Sequence, residues 1–97
     1  MQLPVLVTAR RVRTPVLVLI GAVDRQVSAG QADTLATAFR EGGNRDVTVR
    51  VFPGLNHLFV VSPSGTGATD EYASLRDVAV PREVLDVIAE WLIARLN

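Results

Sequence analysis

The sequence has 97 residues, a formal net charge of zero and 48% hydrophobic residues. This length allows one domain at most, and the apolar content is high enough for a packed core, which excludes a disordered chain. The balanced charge offers no broad basic surface for nucleic acid. Cysteine is absent and histidine occurs once, so we predict no disulfide, no metal site and no cofactor.

The sequence contains no candidate membrane span. No apolar run approaches the roughly 20 residues that a spanning helix needs. The start, "MQLPVLV", lacks the positively charged region of a signal peptide. We therefore expect a soluble, cytoplasmic protein that binds neither membrane nor nucleic acid.

The first half of the sequence predicts a strand preceded by a short ambiguous segment. Residues 3–12 favour a short helix opened by Pro4, although Val5 to Val7 would also suit a strand. Five consecutive apolar residues, Val16 to Ile20, are bounded by Pro15 and Gly21. This run predicts a strand at about 15–20 that is buried on both faces, as in parallel sheets.

A helix is predicted at about 29–41. Ser28 and Gln31 have the spacing of a capping box, which would make Ser28 the N-cap, and Gly42 and Gly43 would end the helix. Between them, apolar residues recur at helical spacing: Ala32, Leu35, Ala36 and Phe39.

The second half predicts a strand at about 47–52 and a last helix at about 81–96. Valine alternates with other residues along "VTVRVF", which is typical of a half-exposed edge strand. Residues 60–79 are rich in serine and glycine and predict a long loop. The last helix begins at Pro81, and its predicted buried stripe is Val84, Leu85, Ile88, Trp91 and Leu92.

The order strand, helix, strand, loop, helix predicts an α/β fold built on a parallel βαβ unit. Loops that follow parallel strands leave the sheet at the same edge, where α/β proteins bind their ligands. Asp24 follows the first strand and His57 follows the second, so we expect the two side chains to meet. A buried aspartate that holds one ring nitrogen leaves the other free to take a proton from a nucleophile.

Each of these residues also has a structural interpretation. Asp24 could be an ordinary turn aspartate, and His57 could be a loop histidine bonded to backbone. Tyr72 and Trp91 are most simply packing residues. A metal site formed by Asp24, His57, Asp70 and Glu71 is a third interpretation, but one histidine with oxygen ligands from a loop suits a metal poorly.

The stretches "TPVLVLIGAVDRQV" and "VRVFPGLNHLF", with the closing helix "VLDVIAEWL", resemble the C-terminal part of the α/β-hydrolase fold. The likeness is greatest to esterases and peptidases of the prolyl-oligopeptidase and dienelactone-hydrolase type. This resemblance implies a C-terminal βαβα portion of that fold, with Asp24 as the charge-relay acid and His57 as the general base. It implies a small ester or peptide substrate.

The family's nucleophile is missing from this sequence. Its serine lies in a G-x-S-x-G elbow before the acid, yet no such motif occurs here and no serine precedes Asp24. Residues 1–97 therefore read as a single partial domain. It would be weakly active alone and would associate with a missing N-terminal half or form a homo-oligomer. The alternative is a non-catalytic binding or oligomerisation module. Within this sequence, Ser62 and Ser64 are the candidate nucleophiles.

Overall fold

The computed structural model describes residues 3–68 and 79–96 of the chain. The elements in chain order are α1 (Leu3–Ala9), β1 (Val16–Gly21), α2 (Ala29–Glu41), β2 (Val47–Phe52) and α3 (Arg82–Arg95). The protein is therefore a small α/β structure, and the two predicted strands and the two longer helices lie within a residue of their expected positions. None of the helices in the described ranges is long and apolar enough to cross a membrane.

The two strands are parallel neighbours. Their register pairs Val16 with Val47 at one end and Gly21 with Phe52 at the other. Helix α2 connects them, which is the predicted parallel βαβ arrangement. Within the described residues the sheet has only these two strands, and Val5 to Val7, the possible third strand, lie in α1.

The burial predicted for β1 was partly wrong, whereas β2 is half-exposed as predicted. Val16 to Leu19 are only half-buried, although Ile20 and Gly21 are buried. In β2, Val51 is 45% exposed while Phe52 is 4% exposed. A strand becomes buried on both faces only when helices cover both faces along its length. In the described part of the chain, the helices do not cover Val16 to Leu19 completely.

Helix α2 begins and ends at the predicted residues, but the predicted side-chain capping bond is absent. Ser28 has the extended backbone of an N-cap, yet its side chain makes no capping hydrogen bond. The Gln31 N–H instead donates to the backbone carbonyl of Ser28 at 2.9 Å, so this amide does not need the hydroxyl. At the other end, Gly43 has a φ of +98°, and the Asn44 N–H reaches back to the Phe39 carbonyl at 3.1 Å, as in a Schellman motif.

Among the described residues, two small clusters form the core. The first joins α1 to α2 through Ala9, Ala38 and Phe39. The second joins the end of β2 to α3 through Phe52, Leu55 and Val84.

The apolar stripe predicted for α3 is only partly buried. Val84 is 3% exposed, whereas Leu85 is 55% exposed and Leu92 is 41% exposed. Ile88 and Trp91 are half-buried. The prediction for Leu85 and Leu92 was wrong because the helix touches the second cluster mainly through its first turns, with Val84, Val87 and Ile88 on the contacting side.

Candidate active site

The loops that follow β1 and β2 leave the sheet at the same edge and are bonded to each other. The Ala22 N–H donates to the Phe52 carbonyl at 2.9 Å, and the Val23 N–H donates to the Leu55 carbonyl at 3.1 Å. Both bonds continue the ladder of the parallel pair past the end of the strands. The loop of the acid is thus held directly against the loop of the histidine.

Gly21 makes this close approach possible. A β-carbon at this position would lie 2.3 Å from the Leu55 carbonyl oxygen and 2.6 Å from that of Asn56. Real β-carbons do not approach backbone oxygens so closely. Glycine at the last position of β1 therefore lets the histidine loop fold over the start of the acid loop.

The carboxylate of Asp24 is held on both oxygens. Its Oδ1 accepts hydrogen bonds from the backbone N–H groups of Gln26, at 2.8 Å, and Val27, at 2.9 Å. Its Oδ2 lies 2.8 Å from Nδ1 of His57. The structure therefore brings together the two residues that the sequence singles out, and it also explains the turn character of Asp24, since the same side chain closes a turn onto its own loop.

The environment of Asp24 favours its charged form. Burial alone would raise the pKa of this carboxyl, whose side chain is 5% exposed, but hydrogen bonds from Val27, His57 and Gln26 outweigh burial. The pKa of Asp24 consequently lies below its ordinary value of 3.8. At neutral pH this residue is a carboxylate that only accepts hydrogen bonds.

The state of Asp24 fixes the tautomer of His57. Since an ionised carboxylate has no proton to give, Nδ1 of the ring must be the donor in the 2.8 Å contact. In neutral imidazole the second nitrogen, Nε2, then carries the lone pair. The His57 side chain is 40% exposed while that of Asp24 is 5% exposed, so the pair consists of a partly exposed imidazole and a buried carboxylate.

Asn56, which the sequence analysis did not single out, organises the turn that carries His57. Its side chain is completely buried, and its Oδ1 accepts hydrogen bonds from the N–H groups of Leu58 at 2.9 Å and Val60 at 3.4 Å. Its own N–H donates to the Val60 carbonyl at 3.0 Å. The signal in the sequence was an asparagine beside a lone histidine in a glycine-containing turn, since asparagine often bonds to backbone two residues on.

Residues 60–68, the described start of the predicted long loop, pack back onto the acid loop. The Ser62 N–H donates to the Gly54 carbonyl at 2.9 Å, and the Ser62 Oγ accepts from the Gly67 N–H at 3.0 Å. Gly67 has a φ of +70°, and a β-carbon there would overlap the Val23 carbonyl oxygen. This segment therefore packs against the acid loop at Val23.

The structure describes only some of the remaining candidate residues. Ser62 is buried, and the hydroxyl groups of Ser64 and Thr66 lie 2.7 Å apart. Asp70, Glu71 and Tyr72 lie outside the described residues. Among the residues that the structure does describe, no group of three histidine, cysteine, aspartate or glutamate side chains is arranged to hold a metal ion.

Comparison with known proteins gives one match. The sequence profile of the dienelactone hydrolase family matches residues 3–90. Searches of curated proteins and of solved structures found no match. The family profile spans α1, the βαβ unit, the loops of Asp24 and His57, and more than half of α3. The chain therefore belongs to the dienelactone hydrolase family.

Proposed function

We propose that this chain is the acid–base part of a serine hydrolase that acts on carboxylic ester or peptide bonds. The observation that carries the proposal is the 2.8 Å contact between Asp24 Oδ2 and His57 Nδ1, at the carboxyl ends of neighbouring parallel strands in a chain of the dienelactone hydrolase family. In this proposal the 97 residues form the C-terminal βαβα portion of an α/β-hydrolase domain. They constitute a single partial domain that works in the cytoplasm.

The 2.8 Å contact supports a separate role for each residue in this proposal. His57 Nε2 would take the proton of a nucleophilic serine as that serine attacks the carbonyl carbon, and would return it to the leaving group. Asp24 would hold the ring and stabilise the imidazolium that forms between these steps. The serine and the oxyanion-binding N–H groups would come from residues outside this sequence, because no G-x-S-x-G motif occurs within it.

The test supplies the missing nucleophile. In a chimera, the serine-bearing first half of a dienelactone hydrolase would be joined ahead of Thr14, and hydrolysis of a short-chain nitrophenyl ester would be measured. We expect turnover that falls to a small residual rate in His57→Ala and in Asp24→Asn. A Ser28→Ala chimera is the matched control and should keep its activity, since the Ser28 side chain makes no capping bond. Equal turnover with and without His57 in folded chimeras would refute the proposal.

A binding or oligomerisation module is the second candidate, and one observation favours it. Several large apolar side chains of α3 and its C-cap are exposed, among them Leu85 at 55%, Ile93 at 71% and Leu96, the C-cap, at 71%. A cleft of about 510 Å³ beside Leu85 and one of about 480 Å³ between α1 and α2 lie away from Asp24 and His57. Exposed apolar surface is a feature of protein interfaces. Light scattering separates the candidates: a dimer or larger species at micromolar concentration favours the module, and a monomer with a sharp thermal transition counts against it.

A further inference from the structure

We infer that His57 is itself a nucleophile toward activated carboxylic esters, such as aryl esters. The chain would transfer their acyl group to water through an acyl-imidazole at Nε2. This inference goes beyond the proposed function because it requires no serine. It rests on the same two side chains but assigns the covalent step to the ring.

The first support is the fixed tautomer. Asp24 occupies Nδ1 at 2.8 Å, and the backbone N–H groups of Gln26 and Val27 occupy the other carboxylate oxygen. The acid is thereby prevented from turning away from the ring. Of the two ring nitrogens, only Nε2 then has a lone pair available for attack on a carbonyl carbon.

The second support is the difference in exposure between the two side chains. An ester in solution can approach the ring of His57, whose side chain is 40% exposed, while the carboxylate of Asp24 is 5% exposed and withdrawn from water. The carboxylate therefore interacts with the ring and not with solvent. Hydrogen bonds to a charged acceptor of this kind are roughly twice as strong as those between neutral groups.

The third support is the rigidity of the turn that carries the ring. Asn56 fixes this turn from inside through two backbone N–H groups, and Leu55 pairs with Val61 across its base. Two apolar side chains of the same segment are exposed, Leu58 at 47% and Val61 at 55%. They provide apolar surface near the histidine, which favours esters with an uncharged aromatic or alkyl group.

The chemical step balances without any further reactant than water. The Nε2 lone pair forms a bond to the carbonyl carbon, the bond from that carbon to the aryl oxygen breaks, and the aryloxide leaves with the electron pair. The positive charge of the acylated ring is stabilised by Asp24 through Nδ1–H. Water then attacks the same carbon, the carbon–Nε2 bond breaks, and the carboxylic acid and neutral imidazole are released with the aryloxide protonated.

The composition of the chain limits the number of groups that an ester can acylate. The sequence contains no lysine and no cysteine, and His57 is the only histidine. An acetyl group on a ring nitrogen is removed by hydroxylamine, whereas one on the α-amino group persists as an amide. Hydroxylamine also removes acetyl groups from serine, threonine and tyrosine hydroxyls, so peptide mapping of the labelled chain is needed to show that the labile group is on His57.

The experiment is acetylation of the complete 97-residue chain by nitrophenyl acetate, followed by nitrophenolate release and intact-mass spectrometry. We expect one hydroxylamine-labile acetyl group, which is absent in His57→Gln. The rate should exceed that of 4-methylimidazole at equal concentration by roughly tenfold, which corresponds to about 1.4 kcal/mol in the barrier. Asp24→Asn should lose most of this advantage, while Asp33→Asn, an exposed carboxylate of α2, should keep it.

Three results would overturn the inference. They are hydroxylamine-labile labelling at a residue other than His57, a rate no greater than that of 4-methylimidazole, and a rate that is unchanged when the wild-type chain is unfolded in urea. The last two need no variant, so a misfolded substitution cannot obscure the answer. Failure of the chimera with successful acetylation of His57 would refute the proposed function alone, and the reverse pattern would refute this inference alone.

Discussion

At the carboxyl edge of the sheet, the loops of Asp24 and His57 are joined by backbone hydrogen bonds, and a fully buried asparagine holds the turn that carries His57. Along α3, by contrast, one residue is buried and several leucine and isoleucine side chains face outward. The first region is held by hydrogen bonds within the chain, while the second leaves apolar surface uncovered. The geometry of Asp24 and His57 therefore depends on residues close to them in the two loops, whereas no described residue covers the outer face of α3.

The largest loss of stability is expected in the first region, when one carbon atom is added to Gly21. In Gly21→Ala the new β-carbon would meet the Leu55 carbonyl oxygen at 2.3 Å, and forcing atoms into a packed site costs about 3 kcal/mol. Urea unfolding followed by circular dichroism measures this loss. Because the strain falls on the joint between the two loops, the labile acetylation of His57 should also decline.

Gly30→Ala is the matched control for this change. A β-carbon at Gly30 would meet no atom closer than 4.0 Å, and alanine is a better helix former than glycine by up to about 1 kcal/mol. We expect Gly30→Ala to be neutral or stabilising. Equal free energies of unfolding for Gly21→Ala and Gly30→Ala would show that Gly21 does not lie as close to the Leu55 carbonyl as in this structure.

The same contrast explains what the sequence could predict. Apolar runs, the glycine pair after α2 and the order of elements were sufficient for the strand positions, for the parallel βαβ unit and for the meeting of Asp24 with His57, because each depends on local patterns or on topology. The burial of Leu85 and Leu92 was predicted wrongly, because periodicity shows which residues share a helix face but not whether another element covers that face.

Two features of the site lay beyond pattern reading. The role of Asn56 depends on its side chain turning inward to bond Leu58 and Val60, and composition alone does not distinguish this from an ordinary turn asparagine. The Ser28–Gln31 spacing fitted a capping box, yet a backbone bond took the place of the side-chain bond. Both outcomes were decided by local backbone geometry, which spacing does not determine.

Two truncations on α3 compare a buried position with an exposed position of the same helix. Val84 is 3% exposed and its neighbour Leu85 is 55% exposed. Val84→Ala should lower the free energy of unfolding by about 2 kcal/mol, because it leaves a cavity in the second cluster. Leu85→Ala should change the free energy by less than about 0.5 kcal/mol, as is usual for surface positions.

Urea unfolding of both variants at two protein concentrations tests these two predictions. Equal costs that do not vary with concentration would contradict the burial difference between the two residues. A cost at Leu85 that grows with protein concentration would instead show that another chain covers this face, and would strengthen the second candidate function.

The smallest expected effect concerns the contact between α3 and the start of β2. Arg95 donates from Nε to Asp46 Oδ2 at 2.8 Å and from a terminal nitrogen to Oδ1 at 2.5 Å. Its guanidinium also lies 4.2 Å from the centre of the Trp91 ring. The hydrogen bonds from Arg95 lower the pKa of Asp46 from 3.8, against the effect of burial. The stabilisation from this pair is therefore present above pH 3.8 and is lost as the pH falls through the lower pKa of the folded state.

Arg95→Lys keeps the charge but cannot reproduce the two-pronged contact or the stacking on the ring. We expect a small loss of thermal stability and a change in the emission of Trp91, the single tryptophan. The acid-induced change in that emission should also move to higher pH. Arg82→Lys is the control, since Arg82 and Asp86 are 3.6 Å apart and both well exposed, and pairs of this kind contribute little. Identical acid titrations for the two variants would show that α3 is held to the sheet by Val84 and its neighbours without help from Arg95.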